Sequence, residues 1–149
     1  MIWHTHPLLT TAGRLVPWKG MRRLIEVVSD LKETYPNILL LIIGDGPEEE
    51  LLQALVNKYG LQNNVRLLGR LSRTESGNII AASDVFILNT AYEGLSHQLL
   101  EVMDWGVPIV TTTAGGNVEL LSDGVDAFLV PFNDQYRLEE SITTILTNP

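Results

Sequence analysis

Six consecutive aliphatic residues, Ile38-Leu39-Leu40-Leu41-Ile42-Ile43, stand between Pro36-Asn37 and Gly44-Asp45-Gly46-Pro47. The run is too short to span a membrane. Its unbroken apolar character fits a strand buried on both faces, as in a parallel sheet covered by helices. Shorter apolar runs recur at Leu8–Ala12, Val65–Leu68, Val85–Leu88, Pro108–Thr111 and Ala127–Val130. Amphipathic stretches separate them. Lys19–Thr34 places Met21, Leu24, Ile25, Val28 and Leu31 at helical spacing. Pro47 suits a first helical position, with Glu48, Glu49 and Glu50 at the positive end of the dipole and Gly60 capping the far end. Ser72 with Glu75 three residues later is a capping-box pattern that opens a helix to about Ala82. Helices over Leu95–Trp105 and Gln135–Leu146, and a helical turn over Val118–Leu121, complete the alternation. Six strands alternating with helices predict an α/β fold, a doubly wound parallel sheet with helices on both faces.

Composition narrows the function. With 149 residues the chain suits one domain with a real core, and 45% apolar residues exclude disorder. Eighteen acidic against ten basic residues give a net charge of -8, which argues against coating a nucleic-acid duplex. It leaves room for one small anion held by a few cations. The absence of cysteine excludes disulfides, zinc–thiolate sites and thiol nucleophiles. The start, Met1 to Pro7, lacks the pattern of a signal peptide. His4 and His6 form an H-x-H pair there without a companion Asp, Glu or Cys motif, so no metal site is expected.

In a doubly wound sheet, ligands bind beyond the carboxyl ends of the strands. The loops to search are therefore Gly13–Gly20, Gly44–Pro47, Gly69–Leu71, Asn89–His97 and Thr112–Glu119. None carries a P-loop, a full dinucleotide fingerprint or a nucleophile elbow. Gly13-Arg14-Leu15-Val16-Pro17-Trp18-Lys19-Gly20 brackets two cations between glycines ahead of a helix N-terminus. Arginine offers a planar fork to phosphate oxygens and lysine a mobile point charge. The same pair also fits two solvated surface cations. Glu93-Gly94-Leu95-Ser96-His97-Gln98-Leu99-Leu100-Glu101 turns sharply into a helix whose first amides suit an anion. His97 and Glu101 share a face there. In isolation Glu93 also fits a helix-dipole partner and Glu101 a surface charge. The paired glycines of Thr111-Thr112-Thr113-Ala114-Gly115-Gly116-Asn117-Val118-Glu119 expose backbone to a ligand, and also fit a plain strand-to-helix turn.

Together, G-R-L-V-P-W-K-G, G-D-G-P, V-R-L-L-G, E-G-L-S-H-Q-L-L-E, G-V-P-I-V-T-T, G-G-N-V-E and D-G-V-D-A-F-L-V-P run in a specific order from about Leu8 to Leu146. In this the chain resembles the C-terminal, donor-binding domain of family-4-type retaining glycosyltransferases of the GT-B fold (glycosyl transferases group 1). The resemblance implies one Rossmann-like half of a GT-B enzyme over residues 8–149, with residues 1–7 as the remnant of a linker. It implies that Arg14 and Lys19 hold the donor diphosphate and stabilise the leaving nucleotide without a metal ion. Glu93 would face the donor sugar, with Gly94 in the turn beside it, and Glu101 would bind the ribose hydroxyls. The amides of Leu95, Ser96 and His97 would contact sugar or phosphate. Gly13 would border the diphosphate, and Gly69, Arg70 and Leu71 the base. Gly115, Gly116 and Glu119 would line the same pocket.

The implied substrate is a nucleoside-diphosphate sugar, with UDP, GDP and ADP all open, and no other cofactor. The implied partner is an absent N-terminal acceptor-binding domain, through which the protein would meet a membrane from the cytoplasmic side. The fragment alone would bind nucleotide without turnover. A stand-alone, non-catalytic nucleotide-sugar-binding or interaction module is the alternative, and an epimerase-like GT-B enzyme a third reading. Two features depart from the family pattern. Asp104-Trp105 stands where a small pair is usual, and Thr113 stands where aspartate is frequent.

Overall fold

The computed structural model describes residues 6–92, 97–114, 121, 123–124 and 127–148. Six parallel strands form its sheet: β1 (Leu8–Ala12), β2 (Leu39–Ile43), β3 (Val65–Gly69), β4 (Val85–Leu88), β5 (Ile109–Thr112) and β6 (Phe128–Val130). Their spatial order is β3-β2-β1-β4-β5-β6. The helices are α1 (Met21–Leu31), α2 (Glu49–Lys58), α3 (Arg73–Ala81), α4 (His97–Asp104) and α5 (Gln135–Thr147).

Strand residues alternate between two cores, as the two-residue period of a strand requires. Leu9, Leu40, Ile42, Val85 and Ile87 pack with α1, α2 and α5 on one face. Ala12, Ile43, Phe86, Leu88 and Ile109 pack with α3 and α4 on the other. Of β2, Leu40 and Ile42 enter the first core and Ile43 the second, while Leu39 and Leu41 are half-buried. Helix α1 buries Met21, Leu24, Ile25, Val27, Val28 and Leu31 in one stripe. Each such side chain contributes about 1.5–3 kcal/mol by leaving water.

The fold class and the strand assignments stand as expected from the sequence, with shifts at the ends. The first helix starts at Met21 rather than Lys19, because Pro17–Lys19 forms a separate 3-10 turn and Gly20 takes a left-handed φ of 62° between them. Helix α2 starts at Glu49 rather than Pro47; Pro47 and Glu48 form a turn ahead of it, and the Glu48 N–H donates to the Leu15 carbonyl at 3.0 Å. The Ser72–Glu75 box is present in both directions. Glu75 N donates to Ser72 Oγ at 3.1 Å, and Ser72 N donates to Glu75 Oε1 at 3.2 Å. The hydroxyl and then the amide of Ser72 hold the Glu75 carboxyl below the usual carboxylate range. The start of the expected Leu95–Trp105 helix and most of the Val118–Leu121 turn lie outside the described residues. No helix among the described residues is long and apolar enough to cross a membrane.

Candidate functional site

The strand order reverses between β1 and β4. In a doubly wound sheet, ligands bind beyond the carboxyl ends of the strands at such a reversal. The loops that leave these two strands are Gly13–Gly20 and Asn89 onward, which carry Arg14, Lys19 and Glu93. Buried polar residues gather at the same edge: Thr11 from β1, Asn89 and Thr90 after β4, and Thr111 and Thr112 from β5. Most are engaged by backbone carbonyls. Thr111 Oγ1 donates to Leu88 O at 3.0 Å, and Thr112 Oγ1 to Thr90 O at 2.6 Å.

The Gly13–Gly20 loop turns its cations outward because its apolar residues turn inward. Leu15 and Val16 are buried, Arg14 is exposed and Lys19 half-buried. The Lys19 stem runs back over Gly13, where a Cβ would stand 3.8 Å from Lys19 Cδ. Both cations thus belong to one end of the loop. The G-D-G-P turn holds that loop from below. Gly13 N donates to Ile43 O and Leu15 N to Asp45 O, both at 2.9 Å. Gly44 must be glycine: a Cβ there would stand 1.9 Å from the Gly13 carbonyl oxygen, at a φ of 136°. This glycine therefore serves backbone-to-backbone packing beneath the cationic loop rather than ligand approach.

Asn89 holds the other end of the loop. It is fully buried, and its Nδ2 donates to Gly20 O at 3.0 Å and to Asn133 Oδ1 at 2.8 Å. Asn133 N returns a bond to Asn89 Oδ1 at 2.9 Å. A Cβ on Gly20 would stand 2.1 Å from Asn89 Nδ2. Asn133, at φ 60°, is the one non-glycine residue with positive φ among the described residues. Ala91 N donates to Trp18 O at 2.8 Å, so the loops after β1 and β4 are also stitched together at the rim. Trp18 leaves its ring about half exposed there.

A cavity of about 350 Å³ joins three of the expected segments. Gly13 and Arg14 come from the β1 loop and Arg70 and Leu71 from the β3 loop, with Gly44 and Asp45 between them. Two guanidinium-bearing residues therefore line one concavity, an arrangement suited to an oxyanion ligand. Gly69 ends β3 with its carbonyl accepting from Gly44 N at 2.8 Å. Glu101 lies elsewhere, on a cavity of about 410 Å³ between α3 and α4, with Arg73, Gly77, Asp104 and Trp105. Arg73 Nη2 donates to Glu101 Oε1 there. His97 is exposed at the start of α4 and lines neither cavity. Glu93, Gly94, Leu95, Ser96, Gly115, Gly116 and Glu119 lie outside the described residues.

Sequence reading passed over Asn89, Asn133 and Arg73. An asparagine closing an apolar strand at Val85–Leu88 is a local signal that could have singled out the first. Nothing local marks Asn133 or Arg73, whose partners are 44 and 28 residues away.

Comparison with known proteins accords with this geometry. The profile of the family "Glycosyl transferases group 1" matches residues 2–149. The lipopolysaccharide core biosynthesis glycosyltransferase LpsE of Rhizobium meliloti is 31% identical over 95% of this chain and 40% of its own length. A GDP-mannose-dependent phosphatidylinositol monomannoside mannosyltransferase of Corynebacterium glutamicum is 32% identical over 97% of this chain and 39% of its own. The crystal structure of Anabaena HepE in complex with UDP superposes with a TM-score of 0.86 at 27% identity, over 97% of this chain and 40% of that one. The chain thus spans about two fifths of the length of these relatives. Its structural neighbours are GT-B glycosyltransferases. With the motif order, the reversal between β1 and β4 and the profile match all in agreement, the chain belongs to the glycosyl transferases group 1 family.

Proposed function

We propose that residues 8–149 form the donor-binding domain of a glycosyltransferase that moves a hexosyl group from a nucleoside-diphosphate sugar to a glycan, lipid-linked or small-molecule acceptor, with retention. The observation that carries this is the cavity beyond the carboxyl ends of β1, β2 and β3, lined by Arg14 and Arg70 in a chain of this family. In this reading the bond from the sugar carbon to the diphosphate oxygen breaks, and the electron pair leaves with the nucleotide. Arg14 and Lys19 stabilise that developing charge, the role a metal ion plays in other transferases. Glu93 faces the reacting carbon, Glu101 accepts from the ribose hydroxyls, and the Leu95–His97 amides hold the sugar or phosphate. Gly69, Arg70 and Leu71 border the base, and Gly115, Gly116 and Glu119 complete the rim.

The structure of HepE with UDP supports a uridine donor, and the GDP-mannose-dependent relative keeps guanosine in play. The lipopolysaccharide-core relative supports a place in cell-envelope or exopolysaccharide synthesis. The further length of the relatives is where an acceptor-binding half is proposed, bringing the enzyme to the cytoplasmic face of a membrane. Calorimetric titration of the 149-residue chain with UDP, GDP and ADP tests the donor reading. Binding of at least one, without turnover of its sugar conjugate by the chain alone, is expected. No heat with any of the three in a folded sample overturns it. Retention is checked by the anomeric signals of product made once an acceptor half is joined to the chain.

A further inference from the structure

Arg73 opens α3, and Glu101 lies in the second turn of α4. The two helices match along their seam. Gly77 follows Arg73 by one turn and Trp105 follows Glu101 by one turn, and residues four apart share a helix face. A Cβ on Gly77 would stand 3.3 Å from Cη2 of Trp105, so the indole lies close against α3 at this residue. One turn earlier Arg73 Nη2 meets Glu101 Oε1, on the wall of the 410 Å³ cavity.

The Arg73 side chain is 85% exposed and that of Glu101 35%. An ion pair this open adds little stability. Its consequence is orientation: a guanidinium N–H on Oε1 selects one arrangement of a flexible carboxylate. Among the described residues no hydrogen bond reaches Oε2, which is left to accept from a ligand. We infer that Arg73 is a positioning residue for ribose recognition, holding the Glu101 carboxylate so that it reads the paired hydroxyls of a bound nucleotide. This rests on the donor-binding reading above.

The test must separate orientation from simple loss of a positive charge. Removing a cation weakens every anionic nucleotide alike, whereas losing the Glu101 orientation weakens only a nucleotide that carries ribose hydroxyls. Calorimetry on the 149-residue chain therefore compares UDP with its 2′,3′-dideoxy analogue. The wild type is expected to prefer UDP by about tenfold, the worth of a charge-assisted hydrogen bond. Arg73→Ala reduces that preference about threefold, the scale of an exposed ion pair. Arg73→Lys restores most of it, and adding Arg73→Ala to Glu101→Gln leaves the preference where Glu101→Gln alone put it. An unchanged preference in Arg73→Ala, or equal weakening of both ligands, overturns the inference. So does a wild type that binds UDP without preferring it to the analogue. A wild type that binds neither ligand overturns the donor-binding reading and this inference together.

Discussion

Helices α1, α2 and α5 cover one face of the sheet, and α3 and α4 the other, but the two layers are made differently. Helix α1 buries six apolar residues in a continuous stripe and packs beside α5, which buries Leu138, Ile142 and Leu146. Helix α3 buries Ile80 and little else, and its middle carries Ser76, Gly77 and Asn78. Its layer holds the Glu101 cavity and the Arg73–Glu101 pair. The first layer is built for burial. The second buries fewer apolar residues from its helices and carries the Arg73–Glu101 pair. The α1 layer is thus the thick one in apolar burial and the α3 layer the thin one.

Substitutions graded by layer test this contrast. Leu24→Ala in the thick layer is expected to cost about 4 kcal/mol in urea unfolding, since the side chain is only 1% exposed. A cost under about 1 kcal/mol would erase the distinction between layers. Trp105→Ala in the thin layer should cost about 2 kcal/mol, because the indole is 40% exposed and rests on a glycine. Ser72→Ala, which breaks the capping box beside the β3 loop, should cost about 1 kcal/mol and lower the thermal midpoint by a few degrees. The Arg14→Ala, Lys19→Ala double variant should change stability by under about 1 kcal/mol while removing most nucleotide affinity in calorimetry. Unfolding of that variant would make the pair structural.

The smallest effect belongs to Glu139, on the seam between α1 and α5. Burial, and next the Asp30 carboxylate alongside, raise its carboxyl to about 7. Gln135 Nε2 donates to both, to Asp30 at 2.7 Å and to Glu139 at 3.2 Å. Between the unfolded value near 4.5 and 7 the folded state holds the extra proton, so this group's contribution to stability falls as pH rises through that window. Glu139→Gln should flatten the slope, by under about 1 kcal/mol at this half-buried position, where solvent screens the carboxylates. Identical urea midpoints across pH 5 to 8 in wild type and variant would remove Glu139 from the account.

Element types were legible because their causes are local. The aliphatic run at Ile38–Ile43, the 3.6-residue stripe of α1 and the Ser72–Glu75 box each declare themselves within a few residues. The cationic loop was legible for the same reason, since Gly13 and Gly20 bracket Arg14 and Lys19 within eight residues. Its surroundings were not. Gly44 reads as a turn residue until the Gly13 carbonyl is seen where its Cβ would be. Glu101 and Arg14 read as members of one pocket, yet the described residues place them on separate cavities.

The amino-acid order alone determined a doubly wound α/β domain, the loops at the carboxyl ends of its strands and the family it resembles. Periodicity, capping and turn chemistry act over one or two turns of chain, so they can be read along it. Tertiary structure alone decided that Asn89 clasps Gly20 and Asn133, that Gly44 abuts Gly13, and that Arg73 reaches Glu101. Those contacts join residues distant in sequence, brought together only when the strands pair in the order β3-β2-β1-β4-β5-β6 and both helical layers close on the sheet.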